Sequence, residues 1–471
     1  MSGMISIGQS ALFASYAALQ TTSNNISNVN TPGYSRQQVD LETAGGQFTG
    51  AGFFGKGVQV ASVTRSYNQF LTTQANVSQA QASADSARLT QLQQLESALP
   101  TGQAGIGYAA GDMLNALVDV GNNPQDPSAR QVVLARAQDL VSRFNAASSQ
   151  ITALQAGTAT DIKNNVATVN GLTAQVATLN QEIAKTQGLG QSPNDLLDQR
   201  DQLIAQINKY VQVTTIPASD GTVGLFVGGG QQLVLGTRAL TLSTVADSYD
   251  PSQVRLAVNE PGGSQQVPTS ALSGGAIAGL MRFQDHDLVD ARNLVGQMAA
   301  ALSGRVNAQQ ALGLTLGQPP SAGPPIFATG APQVLPNTNN ARAANGNFAA
   351  SVSLTVSDPT QLQASDYELR SDPSNPGSYL LKRLSDGLTR QVSPGATVDG
   401  FTISVSSPPP GPNDRFLLQP VGGAASGMKT VLADPNGIAA ASPVVATVGA
   451  ANTGTASVAS LSVTSPTINP A

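Results

Sequence analysis

The chain has no cysteine, no tryptophan and one histidine among its 471 residues. Without thiols there are no disulfides, thiolate zinc sites or cysteine nucleophiles. A single imidazole, His286, leaves any triad or zinc reading one nitrogen short of what such sites need, and we read it as an exposed or capping side chain. Aromatic residues are 4% of the chain, so its cores are built from Ala, Val, Leu and Ile. Charged residues are 11%, against about 25% in ordinary soluble domains, which is unusual for a cytosolic enzyme. A net charge of −5 with no Lys/Arg stripe excludes nonspecific nucleic-acid binding. No apolar run of about 18 residues is present, so no membrane-spanning helix is expected. No Lys or Arg precedes Arg36, so the basic region of a secretory leader is not expected either.

What the chain does have begins near its start. Ile5, Leu12, Leu19 and Ile26 recur every seven residues, with Phe13 and Tyr16 beside them, so a narrow apolar stripe runs along a helix. Asn24, Asn25, Asn28 and Asn30 then compete for backbone hydrogen bonds, and Pro32 biases Thr31 away from helix, so the helix stops before Thr31. Pro32 and Gly33 suit a turn in which Pro presets φ and Gly takes a positive φ, after which residues 35–43 run extended.

Residues 17–37, AALQTTSNNISNVNTPGYSRQ, resemble the N-terminal signature of the bacterial flagellar axial proteins, the family of rod, hook and hook-associated subunits. GKGVQVASVTRSYNQFLTTQ (residues 55–74), SPNDLLDQRDQLI (192–204) and GGAIAGLMRFQDHDLVDARNLVGQMAAALSGRVN (274–307) extend the resemblance, most closely to subunits of the hook-filament junction. The resemblance implies a secreted, non-enzymatic structural subunit of the extracellular flagellum. It implies type III export with an uncleaved N-terminal signal, a helical layer forming the tube wall, and β domains packed laterally outside it. The implied partners are other copies of the chain, the hook protein, the next hook-associated protein and an export chaperone, with no cofactor. The assembly interface is then Ile5, Leu12, Phe13, Tyr16, Leu19 and Ile26 together with Asn30, Thr31, Pro32, Gly33 and Tyr34 at the bend. Burying four stripe residues falls short of the entropy of ordering about twenty residues, so residues 1–30 are expected to be mobile until assembly.

Further along, Leu89, Leu92, Leu95 and Leu99 mark one face of a helix that Pro100 ends. Val133, Ala137, Leu140, Phe144, Ala147, Ile151 and Leu154 step 4-3-4-3-4-3, and Ile162, Val166, Val169, Leu172, Val176, Leu179 and Ile183 resume the pattern. One coiled-coil-like helix over residues 127–185 is expected. Ser192 as N-cap, Pro193 at the first helical position and Asp195 two residues on signal the next helix, which ends before Val211. The period then falls to two in VQVTTI, VGLFV, LVL and VRLAV, returns to helical spacing from Leu280 to Leu302, and becomes all-β beyond Gly317 in SVSLTV, YELR, SYLLKRL, FTISV and RFLLQP.

The fold expected is α+β and multidomain, a long helical bundle with inserted and appended β-rich domains. Its parts are an assembly segment at 1–50, the bundle at 51–210, a β insertion at 211–270, a returning helix at 271–316, an outer β domain at 317–423 and a low-complexity segment at 424–471. In the family a C-terminal amphipathic helix pairs with the N-terminal one. Here Pro466 and Pro470 oppose such a helix, so the sequence to Ala471 is expected to stop short of it.

Three motifs tempt a catalytic reading and fail. Residues 50–57, GAGFFGKG, have phosphate-loop spacing, but Gly57 stands where the magnesium-binding hydroxyl belongs, and no strand–loop–helix frame surrounds them. Gly228, Gly229 and Gly230 lie between strand-like runs as a hairpin loop. Asp285, Asp287 and Asp290 sit at mixed helical spacing, as a solvated face does. No catalytic, cofactor or metal residue is assigned. The alternatives are another axial subunit, which the long heptad block opposes for hook protein, and a secreted glycan-acting enzyme using paired carboxylates, for which no acidic pair stands out. An adhesin role for the β domains is a weaker third.

Overall fold

A computed structural model describes residues 2–50, 52–447, 449, 451, 453–455, 458–459 and 461–465. Met1, Ala51, Pro466, Pro470 and Ala471, which entered the sequence argument, lie outside them. The helices are α1 (Ser2–Ser27), α2 (Gln69–Ala98), α3 (Ile106–Asn122), α4 (Pro127–Gly188), α5 (Asn194–Tyr210), α6 (Ala276–Arg282) and α7 (Leu288–Ala311). A five-residue π turn, Phe283–Asp287, joins α6 to α7 and carries His286, which is exposed. Among the described residues no helix is long and apolar enough to cross a membrane. The chain divides into two compact units: Met1–Thr90, Thr158–Val245 and Val254–Phe283 in the first, and Gln91–Gly157, Ala246–Gln253 and Gln284–Ala471 in the second.

In the first unit, α1 leads through the turn at residues 28–34 to β1 (Gln37–Thr43). A two-stranded ribbon follows, β2 (Gln47–Thr49) with β3 (Gly52–Phe54), and then β4 (Val58–Arg65), which pairs antiparallel with β1. Phosphate-loop geometry is thus replaced by a hairpin. Beyond α5 come β5 (Val213–Pro217), β6 (Val223–Val227), β7 (Gln231–Leu235) and β8 (Arg238–Ala239), a four-stranded antiparallel sheet in chain order. Gly228, Gly229 and Gly230 all take positive φ in its β6–β7 turn. β9 (Thr241–Ala246), β10 (Val254–Glu260) and β11 (Gly263–Gln266) form a three-stranded sheet. Ile162, Val166, Val169 and Val176 of α4 pack with Ile204 and Ile207 of α5, Leu225 and Val227 of β6, Leu256 and Val258 of β10, and Ile277 and Met281 of α6 in one core.

Three local expectations are corrected here. On α4 Val176 and Ile183 are buried as expected, but Thr173 and Asn180 take the inward positions beside Leu172 and Leu179, which are only half-buried. Asn180 explains the exchange: its Nδ2 donates to Val223 O (2.9 Å) and Gly236 O (2.7 Å), and its Oδ1 accepts from Val223 N–H (3.1 Å). A leucine there would leave those peptide groups unpaired in the core. Leu89 is exposed, and α2 buries Ala80, Ala84, Gln91 and Leu95 instead. Within the first unit, α6 approaches α2 so closely that a Cβ on Gly279 would strike the Ala84 backbone. Helix α5 begins at Asn194 with Pro193, not Ser192, in the cap position, and no side chain caps it. Asn194 Nδ2 is committed elsewhere, to Val63 O (2.7 Å).

In the second unit, Asp126 accepts from Ser128 N–H (2.8 Å) and Pro127 opens α4, a capped helix start. Val133, Ala137, Leu140, Phe144, Ala147 and Ile151 are buried, as are Met113 of α3 and Val295 and Ala299 of α7. The remaining strands are β12 (Phe327–Ala328), β13 (Gln333–Pro336), β14 (Val352–Val356), β15 (Tyr367–Ser371), β16 (Tyr379–Arg383), β17 (Thr389–Val392), β18 (Thr397–Val398), β19 (Phe401–Val405), β20 (Arg415–Gln419) and β21 (Lys429–Thr430). A five-stranded antiparallel sheet in the order β13-β20-β15-β16-β17 lies with a three-stranded one, β14-β19-β18. Alternation buries Tyr367, Leu369 and Phe416 of the first and Phe401 and Ile403 of the second. The Tyr367 and Phe401 rings meet edge to face at 5.0 Å.

Candidate assembly site

Helix α1 is amphipathic in an unusual sense. The face turned to the β1–β4 ribbon carries Ser10, Ala14, Ala17, Thr21 and Asn25, all small or polar, with Asn28 just past the helix end, and Ala14 is buried. Small side chains let the helix backbone approach the ribbon. Ser10 Oγ accepts from Val58 N–H at 3.4 Å, and a Cβ on Gly57 would collide with it. The large apolar side chains point the other way: Ile5, Leu12, Phe13, Tyr16, Leu19 and Ile26 are all exposed, Leu12 at 71% and Leu19 at 74%. Leu12, Phe13, Ser15, Tyr16 and Leu19 line an open groove of about 500 Å³. No residue of α1 bears a charge.

Beneath the helix lies a polar anchor. The residues at 31–34 form a type II turn, with Tyr34 N–H donating to Thr31 O (3.2 Å), Pro32 at its second position and Gly33 at φ +81°. Asn25 reads the strand beyond it like a neighbouring peptide: Nδ2 donates to Gln37 O (2.8 Å) and Oδ1 accepts from Gln37 N–H (2.8 Å). Tyr34 OH also donates to Asn25 Oδ1 (2.8 Å) and accepts from Asn24 Nδ2 (3.3 Å). From α5, Gln202 Nε2 donates to Pro32 O (2.6 Å), and Asp198 accepts from Ser35 N–H (2.8 Å) and from Arg65 Nη1 (2.8 Å). Arg65 Nη1 lies 2.7 Å from Asp201 as well, and its guanidinium stacks over Tyr67 at 4.3 Å. A Cβ on Gly33 would run into Gln202, so the turn requires glycine on both conformational and steric grounds.

The electrostatics follow from burial. Desolvation pushes the Asp201 carboxyl up against the opposing pull of Arg65, and lowers the Arg200 guanidinium beside it. Desolvation, and then the Asp195 and Asp198 carboxylates, hold the Tyr34 phenol above its ordinary range. These are the perturbations of a structural ion-pair network. Among the described residues no group of three or more His, Cys, Asp or Glu side chains could hold a metal ion.

The structure therefore divides the expected interface residues. Ile5, Leu12, Phe13, Tyr16, Leu19 and Ile26 share the outward face; Asn30, Thr31, Pro32 and Gly33 are exposed on the turn; Tyr34 faces the anchor instead. Sequence reasoning missed Arg65, Asn194, Asp198 and Gln202. A signal for three of them was present, since Asn194, Asp198 and Gln202 recur every four residues and so place a polar row along one side of α5.

Comparisons with known proteins identify the family. Residues 92–327 match the flagellar hook-associated protein FlgK helical domain, residues 337–420 the flagellar hook-associated protein 1 D2-like domain, and residues 5–34 the flagella basal body rod protein. The chain is 33% identical over 449 residues to flagellar hook-associated protein 1 of Escherichia coli (strain K12), spanning 94% of this chain and 80% of that protein. It is 30% identical over 302 residues to the protein of that name in Bacillus subtilis (strain 168), 59% of each. The solved structure of the flagellar hook junction protein FlgK from Burkholderia pseudomallei superposes with a TM-score of 0.72 at 34% identity, over 79% of this chain and 66% of that one. With two domain models matched in order and a third of its residues shared along nearly its whole length, this chain belongs to the flagellar hook-associated protein 1 family.

Proposed function

We propose that this chain is a structural subunit of the flagellum at the junction between hook and filament, and that the outward face of α1 is its polymer contact. One observation carries the reading: α1 covers its own ribbon with Ala and Ser and leaves Ile5, Leu12, Phe13, Tyr16, Leu19 and Ile26 to solvent. Large apolar side chains gathered on one exposed helix face call for a further surface to cover them. In this reading residues 1–50 are the assembly segment, and the turn at residues 30–34 sets the direction in which the helix leaves the folded unit. The partners are further copies of the chain, the hook protein and the next hook-associated protein, with an export chaperone before assembly. The subunit works by contact in the extracellular flagellum, and no reaction is assigned to it.

Leu19→Asp tests the interface by placing a charge in the middle of the stripe. Immunogold labelling with antibody against residues 348–420 should mark the hook-filament boundary in the parent strain. The variant should be exported to the medium with an unchanged circular dichroism spectrum, yet leave that boundary unlabelled. Normal labelling of the variant would remove the stripe from the interface, and parent label away from the boundary would remove the junction role.

A further inference from the structure

Asparagine followed by glycine is a step open to self-modification, because glycine puts no side chain in the way when its nitrogen turns on the neighbouring carboxamide. The chain has three such steps, Asn170-Gly171, Asn345-Gly346 and Asn436-Gly437, and the fold treats them differently. Asn170 lies inside α4 with its carboxamide held at both ends, Nδ2 donating to Leu242 O (2.9 Å) and Oδ1 accepting from Leu242 N–H (2.8 Å). Asn436 is locked through its main chain. Its N–H donates to Asp434 Oδ1 (2.9 Å), its carbonyl accepts from Leu316 N–H (3.1 Å), and a Cβ on Gly437 would strike Leu432. Asn345 stands instead at an exposed hairpin tip closed by the bridge Arg342↔Phe348, and nothing lies within 4 Å of where a Gly346 Cβ would be.

We propose that Asn345 is a site of spontaneous deamidation, primed by Arg342, that adds a negative charge to the surface of the outer β domain as the chain ages. Asn347 N–H donates to Asn345 Oδ1 (3.0 Å), which folds the carboxamide back over the Gly346 peptide and draws electrons from Cγ. Arg342 Nη1 donates to Gly346 O (2.9 Å), in the same peptide unit as that N–H, and so strengthens the donation. The guanidinium is stacked over the Phe348 ring at 4.5 Å, which keeps the cation at the tip, where it also favours the anions formed during reaction. One bond opposes the step: Gly346 N–H donates to Ala343 O (2.9 Å) and must be released first. At an exposed tip such a bond opens at little cost.

The only reactant required is water. Gly346 N gives its proton to solvent and attacks Asn345 Cγ; the new N–C bond forms, the Cγ–Nδ2 bond breaks, and Nδ2 leaves as ammonia with a proton taken from water. The cyclic imide so formed takes up one water molecule and opens at either carbonyl, giving aspartate or isoaspartate at position 345. Both products place a carboxylate at the tip that Arg342 already holds, and the isoaspartate form also lengthens the main chain and disrupts the turn.

This inference is independent of the assembly reading, because it is tested on the chain in solution. The full-length secreted chain and its Arg342→Gln, Arg342→Lys and Asn345→Gln variants are incubated at neutral pH. Peptide mass spectrometry follows amide-to-acid conversion at residues 170, 345 and 436, together with release of ammonia. Conversion is expected at Asn345 and not at Asn170 or Asn436, with ammonia release suppressed in Asn345→Gln. Arg342→Gln should slow it roughly fivefold, and Arg342→Lys, which keeps the charge, should restore most of the rate. An intact Asn345 under conditions in which a free peptide of residues 340–350 converts overturns the site, and conversion at Asn436 as fast as at Asn345 overturns selection by the fold. Arg342→Gln converting as fast as the parent or faster, or slowed no more than Arg342→Lys, overturns the priming role of the guanidinium.

Discussion

Removing the Asp198 carboxylate should free the base of α1 without unfolding the unit that carries it. The side chain is 7% exposed and accepts two charge-assisted hydrogen bonds, from Ser35 N–H and Arg65 Nη1, both at 2.8 Å. Bonds to a charged group contribute about 1.5–3 kcal/mol each. Arg65 keeps Asp201 at 2.7 Å, so Asp198→Ala does not strand the guanidinium, and the ~3–5 kcal/mol cost of an orphaned buried charge is not reached in full. A local loss of about 3 kcal/mol remains, roughly a hundredfold in the opening equilibrium. Hydrogen exchange of the full chain reads this directly, since the Ser35 and Gln37 amides both donate to side chains in the anchor. Asp198→Ala should lower protection at both by roughly a hundredfold. Asp198→Asn keeps an acceptor for Ser35 and loses the charge, so about a tenfold drop is expected there. Amides of β6, held by the core on α4, should not move in either variant. Unchanged protection at Ser35 and Gln37 in Asp198→Ala would refute the anchor.

Two further outcomes are expected. Asn180→Leu adds apolar volume to the α4 core but leaves Val223 N–H and the Val223 and Gly236 carbonyls without their partner, so it should destabilise the first unit by about 2–4 kcal/mol, seen as an earlier urea transition; an unchanged or later midpoint contradicts the account. In the second unit, burial and then the Glu368 charge push the Tyr249 phenol up from 10.0 to about 12. Because the folded value lies above the unfolded one, the neutral phenol's contribution is complete below pH 10.0 and is lost as pH rises through about 12. Tyrosinate absorbance should show this group ionising after the exposed tyrosines, with Tyr249→Phe reducing the late phase by one tyrosine, the others in it being the raised Tyr34, Tyr67, Tyr367 and Tyr379, and removing the matching stability loss.

The sequence disclosed α4 well because its signal is long: a proline start after an acidic cap and buried apolar residues every three or four positions across several heptads. It failed where two neighbouring residues competed for one inward position. Leu172 beside Thr173 and Leu179 beside Asn180 look decided by apolarity, yet at Asn180 the site needs a donor and an acceptor for a strand that is distant in sequence. At Leu89 apolarity also misled: α2 turns Ala80 and Ala84 inward, where Gly279 of α6 lies against the Ala84 backbone, and leaves Leu89 exposed. The bend followed from Pro32 and Gly33, whose conformational limits are local. Its anchor did not, because Ser35 and Asp198 are 163 positions apart and a polar row on a helix carries no sign of which backbone amide it will meet.

On the proposed assembly reading, that anchor also bears on how a helix with eight exposed large apolar side chains remains usable before assembly. Apolar patches of this kind invite nonspecific association. Here Gln9, Ser15, Gln20 and Thr22 are interleaved with the large residues, which keeps the stripe narrow, and the absence of charge leaves nothing to desolvate when a partner arrives. Orientation is the remaining cost. Asn25, Tyr34 and Gln202 fix the C-terminal end of α1 and the turn below it, and Ser10 adds a 3.4 Å contact to the ribbon. A helix held at its base and free along its apolar face has its direction set in advance, so less ordering entropy opposes assembly than a wholly unstructured segment would present. On that reading the signature at residues 24–37 has a physical role as the joint that aims the stripe.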